Sequence, residues 1–586
     1  DSTARSGIAV GGVRCSLLMR CQDMADRCLI TQGIVEGEDS AARITKNGGN
    51  AFCLEAFDHD FCSCQFHLTY LLPSHTAQAI HSASHLKSKL HSGTVGVCCA
   101  TSGPGATNLV TGLANAFLDS IPVVAITGQV KRSTIGHDAF QEVDICGITM
   151  PITKQNFLVN KPEELEQTMH LAFQIARSGR PGPVLIDVPN DVQKAMIEYQ
   201  GKKLPALSPK APDPMRIDLA IDALSKAKRP VMLVGGGVAI SGAQYEAVHL
   251  AEKLNLPCAS TLMGLGCISS YRKQYLGMAG LHGHERANRA LAEADVILAL
   301  GSRFNDRETG DRMAYSQGKT IIHVDIDPAE FHKNIDSRIH IAGDMRTIIN
   351  MLERGSSPHD ISAWWDKILT WPSMDEDYGE NTAPLFIQAL NPLLKGKDYL
   401  CATDVGQHQM FTAQHLKVEY ASQLITSGGL GTMGFGLPAA MGAKLAKPEK
   451  TVLLVAGDGG FKMTGSELFT LASYHIPVIV IVFNNSGLGM IRQLQQTGYN
   501  ERYMACNLPS YVDFVKYAAA FGLAGEHVST PDALASAVEK AMKLDQPYVI
   551  ETAIPPKDMV VPMVAAGKGI DVFVPGLGEK DIDVKD

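Results

Sequence analysis

Two stretches decide the fold class of this chain: VLLVAGDGG (452–460) and IVIVFNNSGLGM (479–490). Each is an apolar run rich in β-branched residues that ends in a small polar turn, which is typical of a buried strand in a parallel sheet. The turns place Asp458 and Asn485 at the carboxyl ends of the strands, where open α/β sheets bind ligands. A carboxylate with an amide oxygen suits a hard cation such as Mg²⁺ that also holds phosphates. Three glycines beside the acid let backbone approach such a ligand closely: Gly457, Gly459 and Gly460.

Size and composition favour several globular domains. The 586 residues exceed what one core holds, which is about 250–300 residues. The net charge of −9 gives no sign of a nucleic-acid surface, and no apolar stretch reaches the ~18 residues of a membrane span. The first residues do not form a convincing signal peptide, and the cysteines make no CxxC pair, so we expect reduced thiols. We therefore predict a cytoplasmic protein with neither nucleic-acid nor membrane partners.

Apolar runs alternate with helical segments in three blocks, which predicts an α/β fold with three parallel-sheet domains. In the third block a glycine-rich loop, SGGLGTMGFGLPAAMGAKLA (427–446), leads into a predicted amphipathic helix and can cradle a diphosphate with backbone N–H groups. The predicted boundaries are 1–94 for an atypical N-terminal part of domain one, 95–200 for the rest of that domain, 216–354 for the central domain, 380–560 for the C-terminal domain and 561–586 for a tail.

The spacing of the two turns is informative, because a lone GDG is most often just a tight turn. GDG, a gap of 24 residues and NN in a strand–helix–strand setting resemble the diphosphate-binding motif of thiamine-diphosphate enzymes. Further motifs occur along the chain: TSGPGATNLVTGLANAFLDSIPVVAITGQV (101–130), IGHDAFQE (135–142), SGRPGPVLIDVP (178–189), TLMGLG (261–266), SRFNDR (302–307) and TDVGQHQM (403–410). In this order, from about Val95 to about Pro555, they resemble acetohydroxyacid synthase, also called acetolactate synthase.

The resemblance implies two domains that bind thiamine diphosphate on either side of a central FAD-binding-like domain. Members of the family decarboxylate pyruvate and join the two-carbon unit to a second 2-oxoacid, pyruvate or 2-oxobutyrate, in branched-chain amino acid biosynthesis (isoleucine and valine). Thiamine diphosphate provides that chemistry, and the protein positions it. The resemblance also implies a homodimer or homotetramer with active sites at the subunit interface, and a regulatory small subunit is conceivable.

Carried onto this sequence, the resemblance assigns cofactor and substrate residues. Asp458, Asn485 and the Gly487 carbonyl would hold Mg²⁺. Arg307 would grip the carboxylate of the second oxoacid, although a surface salt bridge is the plainer interpretation. The residues expected around thiamine diphosphate and the reacting centre are Phe140, Gln141, Gln407, His408, Gly431, Met433, Gly457, Gly459, Gly460 and Met490, of which the methionines would fill core equally well. Those expected around FAD are Arg180, Gly235, Gly236, Gly237, Thr261, Leu262, Met263, His282, Gly283, Arg303, Asp325, Ile326 and Asp344.

One catalytic residue is missing. The family has a glutamate upstream of the VGVC strand that protonates the aminopyrimidine, yet no Asp or Glu occurs here between Asp60 and Asp119. The position falls on Thr76 or Gln78, and neither can act as a carboxylic acid. Residues 1–94 look unlike the family, so we favour an altered or wrongly read N-terminal segment joined to a sound remainder. The alternatives are another carboligase such as glyoxylate carboligase, which works without the acid, or a catalytically impaired paralogue that still binds thiamine diphosphate and FAD.

Overall fold

The computed structural model describes residues 14–16, 95–201, 204–205, 210–373, 382–508 and 512–574. Three parallel sheets with helices on both sides confirm the predicted α/β class. Residues 73–94, where the missing glutamate would fall, lie outside the described residues. No helix within the described ranges is both long and apolar enough to cross a membrane.

The first block holds a four-stranded parallel sheet in the order β2-β3-β5-β4. The helix Leu165–Arg177 ends where Ser178 adopts extended backbone with a ψ of 145°, and Gly179 follows with a φ of 55°. β6 lies outside this sheet and pairs antiparallel with β1. The strands are β1 (Arg14–Ser16), β2 (Gly96–Ala100), β3 (Val123–Gln129), β4 (Gln155–Leu158), β5 (Val184–Pro189) and β6 (Met196–Glu198). The helices are Pro104–Thr107, Val110–Leu118, Ile145–Thr149, Leu165–Arg177 and Asn190–Gln193.

The central block holds a six-stranded parallel sheet in the order β12-β11-β10-β7-β8-β9. The chain runs outward from β7 on one side and from β10 on the other, so the strand order reverses between these two, and a ligand crevice is expected there. The strands are β7 (Pro230–Val234), β8 (Cys258–Ser260), β9 (Tyr275–Met278), β10 (Val296–Leu300), β11 (Thr320–Asp325) and β12 (Ile339–Ala342). The helices are Pro214–Lys226, Gly236–Ser241, Gln244–Lys253, Glu285–Glu293, Asp306–Thr309, Arg312–Ser316 and Met345–Gly355.

The C-terminal block holds the sheet β14-β13-β15-β16-β18-β17, which is also parallel. The helix after the glycine-rich loop is buried on almost every side rather than amphipathic, because it packs between the sheet and other helices. The strands are β13 (Tyr399–Thr403), β14 (Leu424–Ile425), β15 (Thr451–Gly457), β16 (Val478–Asn484), β17 (Ala524–Val528) and β18 (Tyr548–Ala553). The helices are Ala383–Gln388, Leu390–Leu394, Gln407–His415, Gly436–Ala446, Asp458–Thr464, Leu468–Tyr474, Gly489–Gly498, Phe514–Ala519 and Pro531–Leu544.

Two segments outside the predicted central block pack onto it. The helix Ser362–Leu369 buries Trp364, whose indole N–H donates to the Pro230 carbonyl at 3.1 Å. The last described residues return from the C-terminal block, where Val564 N–H donates to the Leu281 carbonyl at 2.8 Å and Gly569 forms a bridge with Gly310. The central domain is therefore completed by two segments, one before and one after the C-terminal sheet in the sequence.

Candidate active site

Asp458 and Asn485 lie side by side, as the two strand patterns predict. β15 and β16 are neighbours in parallel register, with Gly457 opposite Phe483, so the residues that follow meet at one edge. The backbone N–H of Asn485 donates a hydrogen bond to the Asp458 carboxylate. The Asn485 backbone therefore lies beside the Asp458 carboxylate.

The Asp458 carboxylate is buried and only partly satisfied. Burial raises its pKa, which the nearby Lys462 ammonium and backbone N–H groups partly oppose. Its Oδ2 has no hydrogen-bond partner within the described residues, although the Lys462 Nζ lies 3.8 Å away. A buried carboxylate oxygen without a donor is a ready ligand for a divalent cation.

The turn after β16 shapes the other half of this site. Asn485 Oδ1 accepts a hydrogen bond from Gly487 N–H at 3.1 Å, and Gly487 forms an isolated bridge with Asn507. The hydrogen bonds beside that bridge are made by Leu488 N–H, which donates to the Cys506 carbonyl, and by the Ser486 carbonyl, which accepts from Leu508 N–H. A cavity of about 290 Å³ opens beside this turn.

The helix Gln407–His415 begins at the carboxyl end of β13, next to Asp458, and its N-terminus can hold an anion. His408 is buried, and its Nε2 has no hydrogen-bond partner in the part of the chain that the structure describes. Desolvation lowers the pKa of His408 to about 4, although a hydrogen bond to the Asp404 backbone opposes this. Both amide N–H groups of Gln407 are already used, by Gln493 Oε1 at 2.9 Å and the Asp558 carbonyl at 2.8 Å. A contact from Gln407 to a diphosphate would therefore come from its backbone N–H.

Asp404 organises the glycine-rich loop, a role that sequence analysis missed. Its carboxylate accepts hydrogen bonds from Gly434 N–H at 3.0 Å and Gly436 N–H at 2.9 Å. A Cβ on Gly460 would lie 2.2 Å from Asp404 Oδ1, so this packing requires the second glycine after Asp458. One buried carboxylate thus ties the loop to the GDGG turn.

The two predicted methionines lie on either side of this turn. The Met433 methyl would lie 3.6 Å from a Cβ on Gly459, which places the side chain over the GDGG turn. Met490 is half-buried and packs against the core of the C-terminal domain. Core filling therefore accounts for at least part of Met490, while Gly431, with a φ of 66°, needs its glycine for the loop.

The first block supports the glycine-rich loop within the same chain. Asn115 Oδ1 accepts hydrogen bonds from the hydroxyls of Ser427 at 2.6 Å and Thr432 at 3.1 Å. The buried Asp119 carboxylate accepts from Gly429 N–H at 2.7 Å, and burial raises its pKa to about 6. Neither residue was among the predicted ones, because nothing local in the sequence pairs positions about 310 residues apart.

Gln141 and Phe140 lie beside the turn that follows β2. Gln141 has a φ of 59°, an uncommon value for a residue with a side chain, and a Cβ on Gly103 would lie 2.8 Å from its carbonyl oxygen. The Phe140 side chain is 88% exposed. The segment is thus held against the carboxyl edge of the first sheet and presents a large apolar side chain outward.

The predicted FAD residues gather at the carboxyl ends of β7, β8, β10 and β11, although several have structural tasks. A Cβ on Gly235 or on Gly237 would collide with the backbone of Gly301, at 2.2 and 2.7 Å. Asp344 caps the helix Met345–Gly355 by accepting from Thr347 N–H at 2.9 Å. Three further members of the set serve in capping or close packing: Thr261, Met263 and Gly283.

The other polar groups at this edge are charged or lack a partner. Arg180 reaches across from the first block and pairs with the buried Glu330 at 2.9 Å. His282 Nδ1 is buried without a hydrogen-bond partner, and desolvation lowers its pKa to about 4. Arg307 is 72% exposed and lies 3.6 Å from Asp306, so the surface ion pair predicted as its plainer role is present.

Comparison with known proteins agrees with this architecture. Three family models match in order: the N-terminal TPP binding domain of thiamine pyrophosphate enzymes over residues 50–148, their central domain over 217–352 and their C-terminal TPP binding domain over 404–552. The first match begins upstream of Val95, so similarity to the family extends into the segment that looked unlike it. The chain therefore belongs to the family of thiamine pyrophosphate enzymes.

Curated relatives narrow the class. The chain is 42% identical over 520 residues to a probable acetolactate synthase large subunit of Methanocaldococcus jannaschii, covering 85% of this chain and 88% of the relative. It is 41% identical over 477 residues to the acetolactate synthase isozyme 2 large subunit of Escherichia coli, covering 81% and 87%. It is 42% identical over 527 residues to an acetolactate synthase of Mycobacterium leprae, covering 86% and 84%. The chain belongs to the acetolactate synthase large-subunit family.

Proposed function

We propose that this chain is the catalytic chain of an acetolactate synthase, which decarboxylates pyruvate and transfers the two-carbon unit to a second 2-oxoacid. The observation that carries the proposal is the contact between Asp458 and Asn485 at neighbouring strand ends, with one carboxylate oxygen left without a hydrogen-bond donor. The product would feed isoleucine and valine biosynthesis.

The residues present fit Mg²⁺ and thiamine diphosphate. Asp458, Asn485 and the Gly487 carbonyl follow two neighbouring strands and would offer three oxygens to one ion, which suits Mg²⁺ with bound phosphates. The first turn of the helix at Gln407 offers backbone N–H groups to a diphosphate, and the His408 ring lies against Gly457 of the GDGG turn. Bound there, thiamine diphosphate supplies the carbanion chemistry of the reaction. The protein's task is to orient it and to keep water away.

We propose FAD at the carboxyl edge of the central sheet. His282 Nδ1, which has no hydrogen-bond partner among the described residues, lies near Arg307, and Arg180 lies near Arg303; these cationic groups support an anionic ligand there. Gly235 and Gly237 do not add support, since the Gly301 backbone already fills the space that a Cβ on either of them would take. An absorption spectrum of the purified protein decides the question, because flavin absorbs in the visible range.

Substrate recognition is proposed for three side chains. Arg307 is exposed enough to turn a guanidinium toward a substrate carboxylate. Gln141 could donate to an oxyanion from its strained position beside Gly103. Leu494 stands where the family has a tryptophan that selects 2-oxobutyrate, so we expect a weak preference for that acceptor, which a competition assay with pyruvate measures.

We propose a homodimer or homotetramer and a cytoplasmic location. Large apolar side chains are exposed on the first and C-terminal blocks, including Phe140 at 88% and Phe469 at 64%, and monomers rarely expose many of these together. The relatives' description as large subunits supports a smaller regulatory partner for this chain. Light scattering after size-exclusion chromatography checks the mass of the assembly.

The absent glutamate separates the proposal from its rivals. Acetolactate is detected as acetoin after acidification, with and without thiamine diphosphate and Mg²⁺. Cofactor-dependent acetolactate supports the proposal, whereas product from glyoxylate alone would favour a glyoxylate carboligase. Cofactor binding without product would favour an impaired paralogue, and Thr76→Glu or Gln78→Glu should then restore turnover if only the acid is lacking.

A further inference from the structure

The turn that carries Asn485 is anchored by the residue before it. Asn484 donates a hydrogen bond from Nδ2 to Glu551 Oε1 at 2.6 Å. Its own Oδ1 accepts from Ser486 N–H at 3.0 Å. Asn484 thus uses its donor toward the neighbouring strand β18 and its acceptor toward the turn itself. Its orientation fixes where the chain leaves β16.

Glu551 is well placed to be that anchor. It lies on β18, opposite Val482 of β16, and only 8% of it is exposed. Its second oxygen, Oε2, accepts from Phe514 N–H at 2.9 Å and lies 3.5 Å from His527 Nδ1. Both oxygens of this buried carboxylate therefore have donors, and the carboxylate cannot rotate without losing one.

Asp513, His527 and Glu551 lie close enough together to suggest a metal site of their own. Their hydrogen bonds speak against it. Asp513 Oδ1 accepts from Lys516 N–H at 2.9 Å, its Oδ2 lies 3.0 Å from Lys516 Nζ, and both Glu551 oxygens are engaged as described. The cluster is an anchoring network that ends at Asn484.

We propose that Glu551 is a positioning residue for the metal site: by holding Asn484, it aims Asn485 and the Gly487 carbonyl at Asp458. The inference rests on the proposed function, because it concerns the site that would hold Mg²⁺ and thiamine diphosphate. Partners of this kind usually change metal affinity about 10–100-fold when they are removed. Glu551 contacts neither the cofactor nor the substrate in this role.

A donor–acceptor exchange tests the proposal. In Glu551→Gln, one oxygen is replaced by an amide N–H₂, which only donates. The glutamine therefore keeps one acceptor and can no longer accept from both Phe514 and Asn484. In Asn484→Asp, two carboxylates face each other. In the double variant, the new amide donates to the new carboxylate, whose other oxygen still accepts from Ser486. Each single variant should bind Mn²⁺ about 10–100-fold more weakly in the presence of thiamine diphosphate, and the double variant should recover most of that loss.

Electron paramagnetic resonance of free Mn²⁺ gives these affinities without relying on activity. His527→Gln is the matched control, since it removes the exposed contact to Glu551 and should change the affinity less than about fivefold. Should Glu551→Gln fail to fold, Asn484→Ala replaces it, because that change leaves the Phe514 contact intact. Unchanged affinity in the single variants, or a double variant as weak as the worse single one, overturns the inference. An unaltered chain that binds no Mn²⁺ with thiamine diphosphate overturns the proposed function itself.

Discussion

Glu308 is a buried acid whose ionisation should set the pH dependence of stability in the central domain. It lies in the short helix Asp306–Thr309, is 5% exposed and accepts a hydrogen bond from the Ser302 hydroxyl. Burial raises its pKa from 4.5 to about 7, although Ser302 and Arg303 oppose the rise. At roughly 1.4 kcal/mol per pH unit, that interval corresponds to about 3 kcal/mol. Glu308→Gln keeps an acceptor for Ser302 and removes the titration.

The sign follows from linkage. Below pH 4.5 the acid is protonated in both the folded and the unfolded chain, and the folded state has its full stability. As the pH rises toward about 7, the unfolded chain releases its proton more readily, so stability falls. The free energy of unfolding of Glu308→Gln, relative to the unaltered chain, should therefore rise by about 3 kcal/mol across this window. Urea unfolding at several pH values measures this difference in the free energy of unfolding. Glu330→Gln, which removes another buried acid, serves as the comparison variant. A difference that does not change with pH would refute the reasoning.

The remaining predictions concern the metal site and its loop. Asp458→Asn should lower Mn²⁺ affinity beyond the ~10–100-fold of an outer partner, because it removes a ligand, and a Mn²⁺ titration that shows no loss would contradict the site. Lys462→Gln should raise the affinity by roughly tenfold at low salt and less at high salt, since its ammonium lies 3.8 Å from Asp458 Oδ2; an unchanged value would show that the lysine turns away. Asp404→Asn should destabilise the chain by about 1–3 kcal/mol in urea unfolding, because an amide cannot accept from both Gly434 and Gly436.

The strand ends were predictable because the information is local. The apolar runs before Asp458 and Asn485 each specify a buried strand, and adjacent parallel strands bring their carboxyl ends together. The three-block order followed from the same patterns, and the sheets confirm it. The predicted central block does not include the segments of Trp364 and Gly569, which contact it by packing rather than through any periodic pattern.

The partners of the site could not be predicted, because they come from distant parts of the chain. Asp119 meets Gly429, and Glu551 meets Asn484, without any sequence pattern that links the two. Glycines were ambiguous for a related reason, because the close approach of a ligand and the close approach of a neighbouring backbone both require a residue without a side chain. At Gly235 the neighbour is backbone.

Binding and activation of thiamine diphosphate depend on different parts of this sequence, so they should separate in experiments. The diphosphate half needs Asp458, Asn485 and their supports, and these residues are mutually in contact. The other half needs an acid near the aminopyrimidine, and the sequence between Asp60 and Asp119 offers none. We therefore expect the chain to take up Mg²⁺ and thiamine diphosphate while turning over slowly. Activity at the level of the family with Thr76 and Gln78 unaltered would show that another group performs the proton transfer.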